Sequence, residues 1–386
     1  MLYTVCFALV EPLTVYKLFT HECYCQTFGF LKAIPSEIES ETSGKTVATS
    51  GLCDLQVNGF AGVDFNDPTI TPEAFEGSLQ RILSTGVTAC LPTVITGSQE
   101  WQLKCFTNLE KARKRSPIAE AMVRGYHLEG PFLNPAEGFR GCHPHESMVH
   151  PTWDHFQRLQ DSAGGMIRLI TVAPEIEGVL DMIPRWCDQD ITVALGHCNP
   201  ALEDIQKAVD AGARLSTHLG NGCAQYIPRL KNPILYQLSE DRLHASFIAD
   251  GIHLNEHALK VFIRVKEDQR TILVSDATAG SCAEPGKYTL GKVILERQEE
   301  DVAYIPGSQN LAGSASTLSQ CVLNVLGWFN LPFEKAIRWG SEHPRSLIGM
   351  SKNPGLDERI EWVEWKKLKG QWEIQNVRLG EWTVMP

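Results

Sequence analysis

The chain has 386 residues, 43% of them hydrophobic and 21% charged, with a net charge of −11. That length exceeds one ordinary compact domain but suits a single α/β barrel with an appendage. No apolar run approaches the ~18 residues that span a bilayer, and no basic block offsets the acidic balance, so membrane and nucleic-acid partners are excluded and a cytoplasmic protein is expected.

The opening stretch "MLYTVCFALVEPLTVY" is apolar, but it lacks a basic leader and a cleavage site, and Glu11 interrupts it. It reads as the first strand of a small sheet rather than as a secretory signal. The 12 cysteines are scattered through a long chain, and Cys23-Tyr24-Cys25 has neither C-x-x-C spacing nor a second pair. Reduced, mostly buried thiols are expected.

From residue 51 onward, β-rich runs alternate with helical patterns. In order the runs are "LCDLQV", "TACLPTV", "RGYHLE", "IRLITVA", "TVALGH", "ARLSTH", "ASFIAD" and "TILVSD". Helices are predicted at "TPEAFEGSLQRILSTG", "NPALEDIQKAVDAGA" and "NEHALKVFIRVKED", where apolar residues recur at three- and four-residue spacing. Such alternation implies a parallel sheet, and eight strands suggest closure. A hairpin is expected over residues 286–310, after the eighth run. The tail "RIEWVEWKKLKGQWEIQNVRLGEW" alternates apolar with polar residues, as antiparallel strands do. The predicted fold is therefore a (β/α)8 TIM barrel over residues 51–354, with a small β-sandwich domain formed by segments 1–50 and 355–386.

Barrel enzymes build their sites at the C-terminal ends of their strands. Runs one, three, five, six, seven and eight end on Gln56, Glu129, His197, His218, Asp250 and Asp276. Glu129, His197 and His218 supply one carboxylate and two imidazoles, a set that holds catalytic zinc and leaves a position open. The metal would polarise a carbonyl and lower the pKa of water. Asp276 is placed to take the proton from water and pass it to a leaving amine, which predicts amide hydrolysis. Cys142, Cys198 and Cys223 flank this region without a basic partner and are read as buried thiols. Asp54 and Asp250 are read as groups that orient loops or histidines. No glycine-rich nucleotide loop follows a strand.

The stretches "DLQVNGFAGVDF", "HLEGPFLNP", "RGCHP", "ALGHCNP", "THLGNG", "ADGIHL", "LVSDATAG" and "LAGSAST" cover most of residues 51–350. In these the chain resembles the N-acetylglucosamine-6-phosphate deacetylase family of the amidohydrolase superfamily. Members with H-x-H on the first strand bind two metals, whereas those with Q-x-N bind one; Gln56 and Asn58 make this sequence similar to the second kind. The resemblance implies one divalent ion per subunit, zinc foremost, with iron(II), cobalt or manganese as alternatives. It also implies that His143, Asn221, Gly222, Arg229 and His253 bind the phosphosugar, Gly222 through its main chain. Arg229 would reach the neighbouring subunit's site in a homodimer. Gly220 and Gly222 stand where the family usually has Phe and Ala. The expected function is release of acetate from N-acetylglucosamine 6-phosphate in amino sugar catabolism. Hydrolysis of another amide, an acylated amino acid or a cyclic ureide, and a non-catalytic barrel remain as alternatives.

Overall fold

The computed structural model describes residues 44–298, 302–307, 311–350 and 360–386. The expected strand in "MLYTVCFALVEPLTVY" and the Cys23–Cys25 pair lie outside the described residues. After β1 (Thr46–Thr49), β2 (Leu52–Val57) opens the barrel, and β3 (Gly59–Phe60) and β4 (Val63–Asp64) form a small ribbon beyond it. The barrel continues through β5 (Val87–Ile95), β6 (Tyr126–Glu129), β7 (Ile167–Val172), β8 (Thr192–Leu195), β9 (Leu215–Ser216), β10 (His244–Ile248) and β11 (Thr271–Val274). These eight pair in parallel in the order β11-β10-β9-β8-β7-β6-β5-β2. The two edges meet at the Val57–Ala277 bridge, where Asn58 N donates to Ala277 O at 2.7 Å.

The helix Pro72–Ser84 shows how local sequence builds the outer layer. Thr71 caps the free amide of Ala74 at 3.1 Å, and a proline occupies the first turn, where its missing N–H costs nothing. Phe75, Leu79, Ile82 and Leu83 then fall on one face and are buried against the barrel. The helices Leu202–Asp210 and Glu256–Lys266 likewise bury one apolar face within their predicted segments.

Inside the barrel, Cys53, Leu55, Ala89, Leu91, Leu169, Ala194, Leu215, Ile248, Ile272 and Val274 form an apolar core with Leu347. Thr192 Oγ1 donates to Leu347 O at 3.1 Å, tying the end of the helix Glu342–Leu347 to the barrel. Polar groups are thereby left to the other end, where β2 loses regular pairing with β5 between Asp54 and Val57. An irregularity of this kind re-aims side chains at a strand end.

The segment after the barrel is a three-stranded antiparallel sheet, β12 (Gly286–Leu290), β13 (Val293–Arg297) and β14 (Ala303–Tyr304), so the expected hairpin carries a third strand. A separate antiparallel sheet joins the chain ends in the order β1-β15-β16-β17, with β15 (Glu361–Leu368), β16 (Gln371–Leu379) and β17 (Trp382–Val384). Trp365 is fully buried beneath it, donates through Nε1 to Thr49 Oγ1 at 3.0 Å and packs edge-on against Phe333. Among the described residues, no helix is long and apolar enough to cross a membrane.

Candidate active site

Four of the predicted site residues lie two positions beyond the strands that deliver them: His197 after β8, His218 after β9, Asp250 after β10 and Asp276 after β11. The strands stop short because His197, His218 and Asp276 have φ of 50°, 30° and 50°. The left-handed region breaks the ladder, and non-glycine residues in it are uncommon outside functional sites. The turn aims each side chain across the barrel mouth.

Glu129, the last residue of β6, is the hub. Its Oε1 accepts from Gln56 Nε2 at 3.0 Å and lies 3.0 Å from His218 Nε2 and 3.5 Å from His197 Nε2; Oε2 lies 3.8 Å from His143 Nε2. Burial alone would push its carboxyl up, but the imidazoles of His197 and His218 hold it well below the usual range. Burial likewise opposes the charged form of His218, yet the hydrogen bond to Glu129 and its charge raise that imidazole above its ordinary value.

The second nitrogens decide what each ring can offer. His197 Nδ1 lies 2.9 Å from Phe139 O, an acceptor only, so Nδ1 carries the proton and Nε2 keeps a lone pair toward Glu129. His143 Nδ1 lies 2.8 Å from Thr96 Oγ1, whose hydroxyl donates to Glu129 O at 3.3 Å, and 3.4 Å from Thr96 N. Burial and the neighbouring His197 push the His143 imidazole down to about 3, so the ring is neutral.

The ligand atoms of Glu129, His143 and His197 all lie within 4.8 Å of one another, and all three residues are buried. His218 falls outside that tight group but makes the shorter contact with Glu129. His218 Nδ1 is moreover a buried nitrogen without a hydrogen-bond partner. Carboxylate and imidazole donors in this arrangement fit a divalent transition metal.

Asp276 faces the same space. Burial pushes its carboxyl up to about 6 against the charge of His218, and Asn58 Nδ2 donates to its Oδ1 at 2.7 Å. His253 Nδ1 lies 2.6 Å from Asp250 Oδ2. Asn221 folds back, its N and Nδ2 donating to His218 O at 2.9 and 3.2 Å. Arg229 is exposed.

The unusual glycine at 222 has a steric cause. Its φ is +60°, and a Cβ there would stand 2.7 Å from His197 Nδ1 and 2.8 Å from Cε1; one at Gly141 would stand 3.0 Å from Cε1. The His197 ring is thus packed against two main-chain turns that only glycine permits. Gly141, Thr96 and the Phe139 carbonyl escape a sequence reading, since nothing in their local pattern marks them as partners of histidines far along the chain. All described cysteines are free; burial and the nearby Glu129 and Asp276 carboxylates push the Cys142 thiol up to about 12, and burial also raises Cys198 and Cys223. None is prepared as a nucleophile.

A parallel eight-stranded barrel with a carboxylate, two imidazoles and an aspartate at its strand ends places the molecule in the amidohydrolase class. No family model matches the chain. It is 33% identical over 326 residues to the N-acetylglucosamine-6-phosphate deacetylases of Bos taurus and Homo sapiens, covering 82% of this chain and 78% of each relative. The solved N-acetyl-D-glucosamine-6-phosphate deacetylase of Mycobacterium smegmatis superposes with a TM-score of 0.80, covering 91% of both chains at 23% identity. The chain belongs to the N-acetylglucosamine-6-phosphate deacetylase family.

Proposed function

We propose that the chain hydrolyses the N-acetyl group of N-acetylglucosamine 6-phosphate, releasing acetate and the amino sugar phosphate, as a step of amino sugar catabolism. The observation that carries this reading is the convergence of His197, His218 and Gln56 on one oxygen of Glu129, with Asp276 facing the same space, in a chain of this family.

Glu129, His197 and His218 are the metal-holding residues in this reading, zinc being the ion that best suits them. When bound, the ion supplies a Lewis acid for the acetyl carbonyl and makes water acidic enough to react near neutrality. His143, a neutral imidazole, contacts the substrate. Asp276 takes the proton of the attacking water and delivers it to the departing amine. Its pKa of about 6 keeps it a base at neutral pH while leaving it able to return the proton.

The phosphosugar is oriented by His253, Asn221 and the main chain of Gly222. Arg229 completes the phosphate site of the neighbouring subunit in a homodimer, where its planar guanidinium can donate two parallel hydrogen bonds. Supporting this, Arg229 is flanked by Tyr226 and Leu230, which are 89% and 71% exposed, an apolar surface suited to cover by a second subunit. The chain is read as cytoplasmic, with the barrel over 51–354 and the small domain contributed by 1–50 and 355–386.

The test is acetate release from N-acetylglucosamine 6-phosphate and from the unphosphorylated sugar, with metal content determined on the same preparation. Release from the phosphosugar alone, at about one metal per chain, is the expected outcome for this mononuclear ligand set. Bound metal with no release from either sugar would overturn the reading.

A further inference from the structure

Gln56 and Asn58 are 1% and 2% exposed, and each donates to a different carboxylate of the site. Gln56 Nε2 reaches Glu129 Oε1 at 3.0 Å, and Asn58 Nδ2 reaches Asp276 Oδ1 at 2.7 Å. We propose that these two amides are positioning residues, Gln56 fixing the carboxylate of the metal ligand and Asn58 fixing the carboxylate that carries the proton. The proposal rests on the roles assigned above to Glu129 and Asp276.

Three features support it. The first is direction: an ionised carboxylate only accepts, so each amide must present its nitrogen, and the orientation of both side chains is set by chemistry rather than by packing. The second is rigidity of the strand end from which they project. Val57 N donates to Thr93 Oγ1 at 3.1 Å, Asn58 N to Ala277 O at 2.7 Å, and Asn58 O accepts from Phe65 N at 2.9 Å. The donors are therefore held against β5, the end of β11 and the following loop at once.

The third is division of labour on Glu129. Gln56 and His218 both engage Oε1, which leaves Oε2 facing His143. A carboxylate free to rotate would offer its oxygens interchangeably; one pinned by a neutral donor keeps a single oxygen at the meeting point of the imidazoles. Hydrogen bonds to a buried charged acceptor are strong enough to impose that choice. A neutral amide is a poor ligand for a transition metal, so Gln56 shapes the site without competing for the ion.

The experiment compares Gln56→Leu and Asn58→Leu with the parent protein. Zinc affinity, read by competition with a chelator, is expected to weaken about 10–100-fold in Gln56→Leu, the usual cost of losing a partner behind a ligand. The thermal midpoint of the metal-free protein should stay near the parental value, which a purely structural glutamine would not allow. Asn58→Leu is expected to keep parental zinc affinity and KM while kcat falls about 10–100-fold. Parental zinc affinity in Gln56→Leu, or parental kcat in Asn58→Leu, overturns the corresponding half.

Zinc affinity needs no turnover. A parent that binds zinc but releases no acetate therefore sinks the deacetylase reading and leaves the Gln56 test intact. The Asn58 half is then decided by a crystal structure of Asn58→Leu, where an unmoved Asp276 carboxylate overturns it. If either leucine variant fails to fold, Gln56→Asn and Asn58→Ser, which stay polar but fall short of the carboxylates, are read in the same way.

Discussion

Asp250 Oδ2 lies 2.6 Å from His253 Nδ1, and Asp250 Oδ1 accepts from the main-chain N–H groups of Ile252 and His253 at 2.8 Å each. One carboxylate thus shapes the turn after β10 and fixes the tautomer of the histidine on it. Burial would push Asp250 up, but His253 holds it below the usual carboxylate range. Asp250→Asn keeps the turn while removing the charge partner. KM for the phosphosugar should rise about 10-fold with a smaller change in kcat. Steady-state kinetics check this, and an unchanged KM would remove His253 from substrate binding.

Asp276→Asn removes the carboxylate proposed to carry the proton and preserves shape beside Asn58. Turnover should fall about 10²–10⁴-fold, the range for loss of a general base, with metal content retained. A variant with near-parental kcat would assign the proton transfer to another group.

Arg229→Ala should raise KM for the phosphorylated sugar about 10-fold or more and leave the unphosphorylated sugar unaffected. If Arg229 serves the partner's site, mixing Arg229→Ala with Asp276→Asn protein after subunit exchange should recover activity above either alone, since some sites regain both residues. Dimers that recover nothing would place the arginine elsewhere.

Gly222→Ala tests the packing of His197. The added methyl would lie 2.7 Å from Nδ1 on a backbone with φ of +60°, so the ring must leave Phe139 O or the loop must move. Metal affinity should drop about 10–100-fold. Metal analysis after dialysis against a mild chelator is the readout, and parental retention would show that the loop yields instead.

Asp54 carries a pH signature of stability. Burial pushes its carboxyl from 3.8 up to about 7, although it accepts from Ser275 N at 3.1 Å and Gln56 N at 3.3 Å. The folded state holds a proton that the unfolded chain releases, so this contribution is full below about pH 4 and is lost as pH rises through about 7. Asp54→Asn should flatten that slope and gain on the parent by a few degrees above pH 7. Thermal melts across pH 4 to 8 decide it; parallel profiles would show that Asp54 is ionised throughout.

The sequence by itself determined the barrel and which polar residues its strands carry to the mouth. Its strands and amphipathic helices are written in local periodicity, and β2 coincides with "LCDLQV" because strand burial needs only a continuous apolar run bounded by turns. The phase of Glu129, His197, His218, Asp250 and Asp276 along those runs follows from where barrel strands end. Only the tertiary structure decided how these residues divide their roles. Gln56 meets Glu129 across 73 positions and Asn58 meets Asp276 across 218, while His143 and His197 are seated against Thr96 and Phe139 O. Periodicity reports which face a residue takes within its own element. Hydrogen-bond direction, burial of charge and steric room for a Cβ depend on atoms that only closure of the barrel brings together.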